Sequence, residues 1–292
     1  AQALKQFILS HAVVHADETP VQLLAPGRGK TKKAYVWVYR TTNFVPQRAV
    51  LFDFCTSRGG EHPRRVLQDF EGTLVTDDYS GYHQLQRQGR IKAALCMAHA
   101  RRKLFEAHQL NGSEIAAQAV ALIAKLYEVE REAREFEPQA RLLLRQSRSR
   151  PIAQALHAWL LAQRPNLAKA DTTARAIDYS LSNWPALTRY LEDGNVPIDN
   201  NAVENAIRPL AIGRRNWLFV GSQQAGERAA VMLSLIESAK LNGHDPWAYL
   251  KDVFERLPTL KNRDLELLLP HNWKPAGVPV APAAADHLLR PG

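Results

Sequence analysis

Cysteine is nearly missing from this chain. The two that occur among 292 residues, Cys55 and Cys96, are too few for the disulfide framework of a secreted protein, and they point to a reducing compartment. No basic start leads into an apolar stretch with a small-residue cleavage site, so no secretory signal is legible. Long apolar runs are lacking too. The most apolar helical stretch, 115–124, is interrupted by Gln118 and falls short of the roughly 18–20 residues that cross a bilayer. That excludes a membrane-spanning reading, and a cytoplasmic protein is expected. No Gly-x-x-x-x-Gly-Lys-Ser/Thr loop is present, so no nucleotide-driven step is expected either. The chain also has no initiator Met: it opens Ala1-Gln2-Ala3 inside what reads as a helix, as a fragment of a longer protein would.

What is present is ordinary globular material, 46% hydrophobic and 23% charged, with the length of two domains or of one domain enlarged by an insertion. Lys and Arg number 38 against 29 Asp and Glu, a net charge of +9, with the excess in the first third of the chain. Such an asymmetry favours a polyanionic partner such as nucleic acid, although many merely soluble proteins carry a similar excess.

Stretches 12–17, 33–40 and 49–54 are rich in β-branched and aromatic residues, are separated by turn chemistry, and read as a three-strand meander. A helix near 63–70, a short strand at 73–76 ending in Asp77-Asp78, and a strand over 91–97 follow. The order is that of a mixed α/β sheet rather than a doubly wound fold. From about 99 to 193 the apolar spacing is helical throughout. The run 193–197 breaks that pattern, Asp199-Asn200-Asn201 reads as the cap of a helix bearing Glu204, and further helices fit 224–242 and 246–256. The proline-rich end reads as an irregular tail.

Three carboxylates stand at expected element ends: Asp17, Asp77 and Glu204. Acids converging from neighbouring strand ends and a helix can hold two divalent cations about 3.5–4 Å apart, the arrangement for in-line attack at phosphate. Oxygen ligands suit Mg²⁺. Each acid also has a plainer reading. Asp17 would begin a turn before Pro20, Asp77 or Asp78 would cap a helix, and Glu204 would close a capping box with Asn201.

The surrounding motifs are specific. His15-Ala-Asp17-Glu18-Thr19-Pro20, Thr76-Asp77-Asp78-Tyr79-Ser80-Gly81-Tyr82, Cys96-Met-Ala-His99-Ala-Arg101-Arg102-Lys103 and Ile198-Asp-Asn-Asn-Ala-Val-Glu204-Asn-Ala-Ile-Arg208-Pro closely resemble the catalytic region of the insertion-sequence-66 family of bacterial DDE transposases. So do Gly213-Arg-Arg-Asn-Trp-Leu-Phe219 and Ala239-Lys-Leu-Asn-Gly243, and the resemblance runs in order from about residue 10 to Trp273.

It implies a ribonuclease-H-like mixed sheet core with an all-helical insertion between the second Asp and the Glu. The core's first part would be 1–98, the insertion 99–198, the C-terminal helical part 199–257 and the tail 258–292. Carried over by position, Asp17, Asp77 and Glu204 are the catalytic, metal-binding acids for two Mg²⁺, with Mn²⁺ as a substitute. The family usually has Asp-Gly-Tyr where this chain has Asp77-Asp78-Tyr79, so Asp78 replaces a glycine and Asp77 is favoured as the ligand. The implied partners are transposon-end and target DNA, further copies of the chain assembled on DNA, and accessory proteins of the same element, in a nucleoid-associated setting. The alternative is a transposase-derived DNA-binding protein whose metal site no longer works. Members of the family carry a helix-turn-helix before the catalytic region, and none is legible here.

Cys96-x-x-His99 lacks the second ligand pair of a structural zinc site, which leaves a supporting role near Asp77 or plain core packing. Basic residues cluster at Lys32-Lys33, at Arg101-Arg102-Lys103, and at Arg208 with Arg214-Arg215. Phosphate contact is the functional reading for these and a solvated face the plain one. For Arg208, one turn from Glu204 on the same helix face, the plain reading is an intrahelical ion pair with it. Trp217 and Phe219 read either as a base-stacking pair or, with their alternating neighbours, as core.

Overall fold

The computed structural model describes residues 1–87 and 89–275. Helix α1 (Gln2–Leu9) precedes three strands, β1 (Val13–Leu23), β2 (Lys32–Thr41) and β3 (Val50–Cys55); α2 (Glu61–Leu67), β4 (Gly72–Thr76), α3 (His83–Arg87) and β5 (Ile91–Leu95) follow. The sheet order is β3-β2-β1-β4-β5. The meander strands pair antiparallel, whereas β4 runs parallel to both β1 and β5.

Between β5 and the next long helix the chain is helical: α4 (Met97–Asn111), α5 (Glu114–Glu132), α6 (Pro138–Leu144), α7 (Arg150–Gln163), α8 (Thr172–Ser182) and the short α9 (Trp184–Leu187). Local chemistry sets several of these limits. Gly112 takes φ +67° to end α4, Ser113 Oγ then accepts the Ala116 amide to start α5, and the Asp171 carboxylate caps α8. The chain returns to the sheet as α10 (Asn201–Trp217), followed by α11 (Gln223–Leu241) and α12 (Pro246–Arg256).

Three apolar clusters pack around the sheet. On one face Val14, Ala16, Trp37 and Tyr39 meet α1 and α2. On the other, Val21, Val36, Val38 and Phe52 meet α10 and α11. Val13, Val75 and Ala94 carry the core on into α4, α5, α7 and α8, so the helical stretch shares buried surface with the sheet.

Four sequence expectations need adjustment. β1 does not stop at Asp17 but continues through Pro20 to Leu23, pairing with β2 from Val14 to Leu23. Proline is tolerated there because β4 covers the other edge of β1 only as far as His15. β5 ends at Leu95, so Met97 and His99 belong to α4. Trp217 ends α10, and it and Phe219 are exposed; only Val220 joins the sheet core, through a bridge to Leu23. The segment after Pro258 is more ordered than its composition implies: Asn262–Leu268 forms a 3-10 helix, Leu268 and Trp273 bury against Tyr249, and Trp273 Nε1 donates to Asp252 at 2.7 Å. The rest of the expected tail, from residue 276, lies outside the described residues.

Candidate active site

Parallel register brings the two aspartates side by side. Val13, Val14 and His15 of β1 pair with Thr73, Leu74 and Val75 of β4, so Asp17 and Asp77 each stand two residues beyond a matched pair, His15 and Val75. The two-residue period of a strand turns both to the face of those residues. Asp17 is opposite Val38, which packs with Val203 and Ile207 of α10, so this is the face that α10 covers. Glu204 lies in the first turn of α10 and looks toward it.

Electrostatics register the convergence. Burial and then the Asp77 charge, with smaller contributions from Glu18 and Glu204, push the Asp17 carboxyl up to about 8. Asp77 Oδ1 accepts the Tyr79 amide at 3.1 Å and so shapes the turn that follows β4. As a trio, the ligand oxygens of Asp17, Asp77 and Glu204 do not close to within 4.8 Å; Glu204 stands that close to Cys96 and His99 instead. Its Oε1 is 3.7 Å from His99 Nδ1 and its Oε2 is 3.9 Å from Arg102 Nη2.

Asp78 is engaged elsewhere. Its carboxylate meets His83 Nε2 and accepts from Asn183 Nδ2, each at 3.1 Å, which ties the end of β4 to the end of α8. Its φ is +77°, a conformation natural to glycine that Asp tolerates better than most residues.

The expected Asn201–Glu204 capping box does not form. Asn200 is the N-cap residue, and its side chain turns inward rather than over the helix end. Fully buried, it accepts from His15 Nδ1 at 2.8 Å and donates to the Ala16 carbonyl at 3.0 Å, while its amide reaches Cys96 Sγ at 3.2 Å. Burial lowers His15 to about 4, so the ring is neutral with its proton on Nδ1. Asn200 thus couples the start of α10 to the strand bearing Asp17 and to the start of α4.

Glu18, next to Asp17, faces the opposite side of the sheet. Its buried carboxylate accepts from Arg58 Nε at 2.7 Å, and the Arg58 guanidinium lies 3.9 Å from the centre of the Tyr79 ring. Neither Glu18, Arg58 nor Asn200 stood out as a site residue by type or spacing. The available signal was the position of Glu18 and Asn200 inside the quoted motifs.

The basic residues divide. Arg101, Arg102 and Lys103 lie in the second turn of α4: Arg102 comes within 3.9 Å of Glu204, Arg101, Arg102, Phe105 and Arg131 line an open groove between α4 and α5, and Lys103 turns away over the Tyr179 ring of α8. Arg208 is exposed one turn beyond Glu204 and makes no ion pair with it. Arg214 donates to the Pro20 carbonyl, a tether to β1, while Arg215 is exposed. Lys32 and Lys33 are not brought to the carboxylates. They pair with Leu23 and Gln22, so Lys32 stands about 20 Å along the strand from Asp17.

The protein is of the mixed α/β class, a five-strand sheet with Asp17 inside β1, Asp77 just past the end of the parallel β4, and a third acid on the helix that covers them. Residues 1–228 match the family model described as "Transposase IS66 family", and residues 234–271 match the "IS66 C-terminal element". The chain belongs to the IS66 transposase family. Similar proteins include the "Uncharacterized protein y4jD" of Sinorhizobium fredii (strain NBRC 101917 / NGR234), 39% identical over 93% of this chain and 55% of that protein. "Uncharacterized protein y4hP" of the same strain is 35% identical over 93% of this chain and 52% of its own length. The chain thus spans about half the length of the curated relatives it matches.

Proposed function

We propose that this chain is the catalytic part of a DDE transposase, built on a ribonuclease-H-like core with a helical insertion before the glutamate. The β3-β2-β1-β4-β5 order and the helical stretch between β5 and α10 support that architecture. The observation that carries the reading is that Asp17 and Asp77 each stand two residues past the His15–Val75 pair of the parallel strands β1 and β4, with Glu204 in the first turn of the helix that covers that face.

The donor set fits hard divalent cations. It is oxygen-only, and in their absence the crowded acids hold Asp17 protonated up to about pH 8. Two Mg²⁺ ions, or Mn²⁺ in their place, would supply charge neutralisation and activation of the attacking oxygen. Asp17, Asp77 and Glu204 would be their ligands. Asp17 would have to release its proton for an ion to be held there, and Asn200 ties the start of α10, which carries Glu204, to β1. Arg102, beside Glu204, and Arg101 in the adjoining groove would pair with the phosphates of DNA entering the site, with Lys103 further round α4 adding sequence-independent affinity. The substrate is DNA, at the ends of the mobile element and at its target. Cutting frees a 3′-hydroxyl, which the same site then directs at a target phosphodiester. Both steps are in-line displacements without a covalent enzyme intermediate. Assembly as multiple copies on paired ends, with accessory proteins of the element, belongs to the same reading.

Calorimetric titration with Mn²⁺ tests it. Saturable binding is expected in the wild-type chain, lost in Asp17→Ala and Asp77→Ala, weakened in Glu204→Ala and kept in Asp78→Gly, which restores the residue suited to φ +77°. No binding by folded wild-type protein, even with DNA present, would overturn the enzyme reading in favour of a DNA-binding remnant.

A further inference from the structure

Cys96, His99 and Glu204 bring a sulfur, an imidazole nitrogen and a carboxylate oxygen within 4.8 Å of one another, and no other His/Cys/Asp/Glu trio among the described residues comes as close. The three arrive from two helix starts: Cys96 is the N-cap residue of α4, His99 lies in its first turn, and Glu204 lies in the first turn of α10. His99 Nδ1 and Glu204 Oε1 face each other at 3.7 Å. Both atoms are shielded from solvent, and neither has a hydrogen-bond partner. With the imidazole proton on Nε2, the Nδ1 lone pair faces the carboxylate oxygen, an opposition that is unfavourable unless a cation between them takes both lone pairs.

We propose that Cys96, His99 and Glu204 form a site for a single Zn²⁺ ion. Sulfur, nitrogen and oxygen together are zinc's ligand set, whereas Mg²⁺ prefers oxygen alone. A tetrahedral zinc with nitrogen and oxygen each at about 2.1 Å holds them about 3.4 Å apart, close to the separation seen here. With three protein ligands the fourth position is open, so the site differs from a closed structural zinc. The Asn200 amide, already donating to Cys96 Sγ at 3.2 Å, is the kind of donor that stabilises a thiolate. As the sulfur–zinc bond forms, the Cys96 thiol releases its proton to solvent.

The consequence rests on the proposed transposase reading, because Glu204 belongs to both sites. An ion held by Cys96 and His99 keeps Glu204 away from Asp17 and Asp77, and Arg102, 3.9 Å from the other carboxylate oxygen, favours the same position. The zinc site is therefore a brake: zinc binding lowers the affinity of the carboxylate site for its own ions.

Cobalt as a zinc probe tests the proposal, in the full 292-residue chain kept reduced and free of oxygen. Wild type and Asp17→Asn are expected to develop a thiolate-to-cobalt charge-transfer band and the visible bands of four-coordinate cobalt, both bleached by about one equivalent of Zn²⁺. Cys96→Ser and His99→Ala should lose these bands. His99 is partly exposed, so its variant keeps the test valid should Cys96→Ser fail to fold. Preloading with Zn²⁺ should weaken Mn²⁺ binding about tenfold or more in wild type and leave it unchanged in His99→Ala, a shift of at least about 1.4 kcal/mol. Absence of the charge-transfer band in wild type, or its survival in folded His99→Ala, overturns the site. Mn²⁺ affinity indifferent to zinc overturns the sharing of Glu204. A cobalt signal from protein that binds no Mn²⁺ supports the zinc site and overturns the carboxylate reading instead.

Discussion

Asp17 carries most of the site's electrostatic strain. The folded chain holds its proton up to about pH 8, whereas the ordinary value is 3.8, so folding takes up a proton between these limits. Stability of the metal-free protein therefore falls as pH rises from about 4 to about 8 and stays reduced above that. Asp17→Asn should raise the melting temperature by several degrees near pH 9 and by little near pH 4, as read by circular dichroism. An equal shift at both pH values would mean that the carboxylate charge is not the cause. The pair Asp77 and Asp78 illustrates what a residue's neighbours in sequence can and cannot tell. That one of them replaces a glycine was legible from the motif, and the φ of +77° at Asp78 accords with it. That Asp78 spends its carboxylate on His83 and Asn183 was not, since Asn183 lies more than a hundred residues away.

Among the elements, α10 depends most on distant support. The loop that leads into it is held from the helical stretch by Arg145, whose fully buried side chain donates to the carbonyls of Tyr190, Asp193 and Val196 and pairs with Glu130 at 2.6 Å. Arg141 does the same for the Gly194 carbonyl. Arg145→Ala leaves the Glu130 carboxylate and three carbonyls without their donor and is expected to cost about 3–5 kcal/mol, measurable by urea denaturation. A loss below about 1 kcal/mol would mean that water replaces the guanidinium. Asn200→Ala is expected to cost about 1–3 kcal/mol by leaving His15 Nδ1 and the Ala16 carbonyl unpaired inside the protein. Helices of this kind were easy to locate, because apolar spacing and caps are local: 224–242 was expected and Gln223–Leu241 is found. The length of β1 was harder. Pro20 reads as a stop, and only the short reach of β4 along β1 explains why the strand runs on past it.

Over the whole molecule, a net charge of +9 predicts salt-sensitive DNA binding. The logarithm of affinity should fall linearly with that of salt concentration, and replacing Arg101, Arg102 and Lys103 by Ala should reduce the slope by about 2–3. Replacing Lys32 and Lys33, remote from the acids, should lower overall DNA affinity and leave Mn²⁺ binding at the carboxylates unchanged. An unchanged slope in the triple variant would remove α4 from the DNA path. No helix among the described residues is long and apolar enough to cross a membrane, in line with the lack of apolar runs in the chain. Strand and helix identities, the mixed α/β class and the family motifs were all readable from the chain, because they depend on side-chain period, capping and short ordered patterns. The opposition of Glu204 to His99, the inward turn of Asn200, the exposure of Trp217 and Phe219 and the distance of Lys32 from Asp17 were not. Each depends on which segments meet after about a hundred helical residues have folded between β5 and α10, and on strand register across the sheet, which no local pattern encodes.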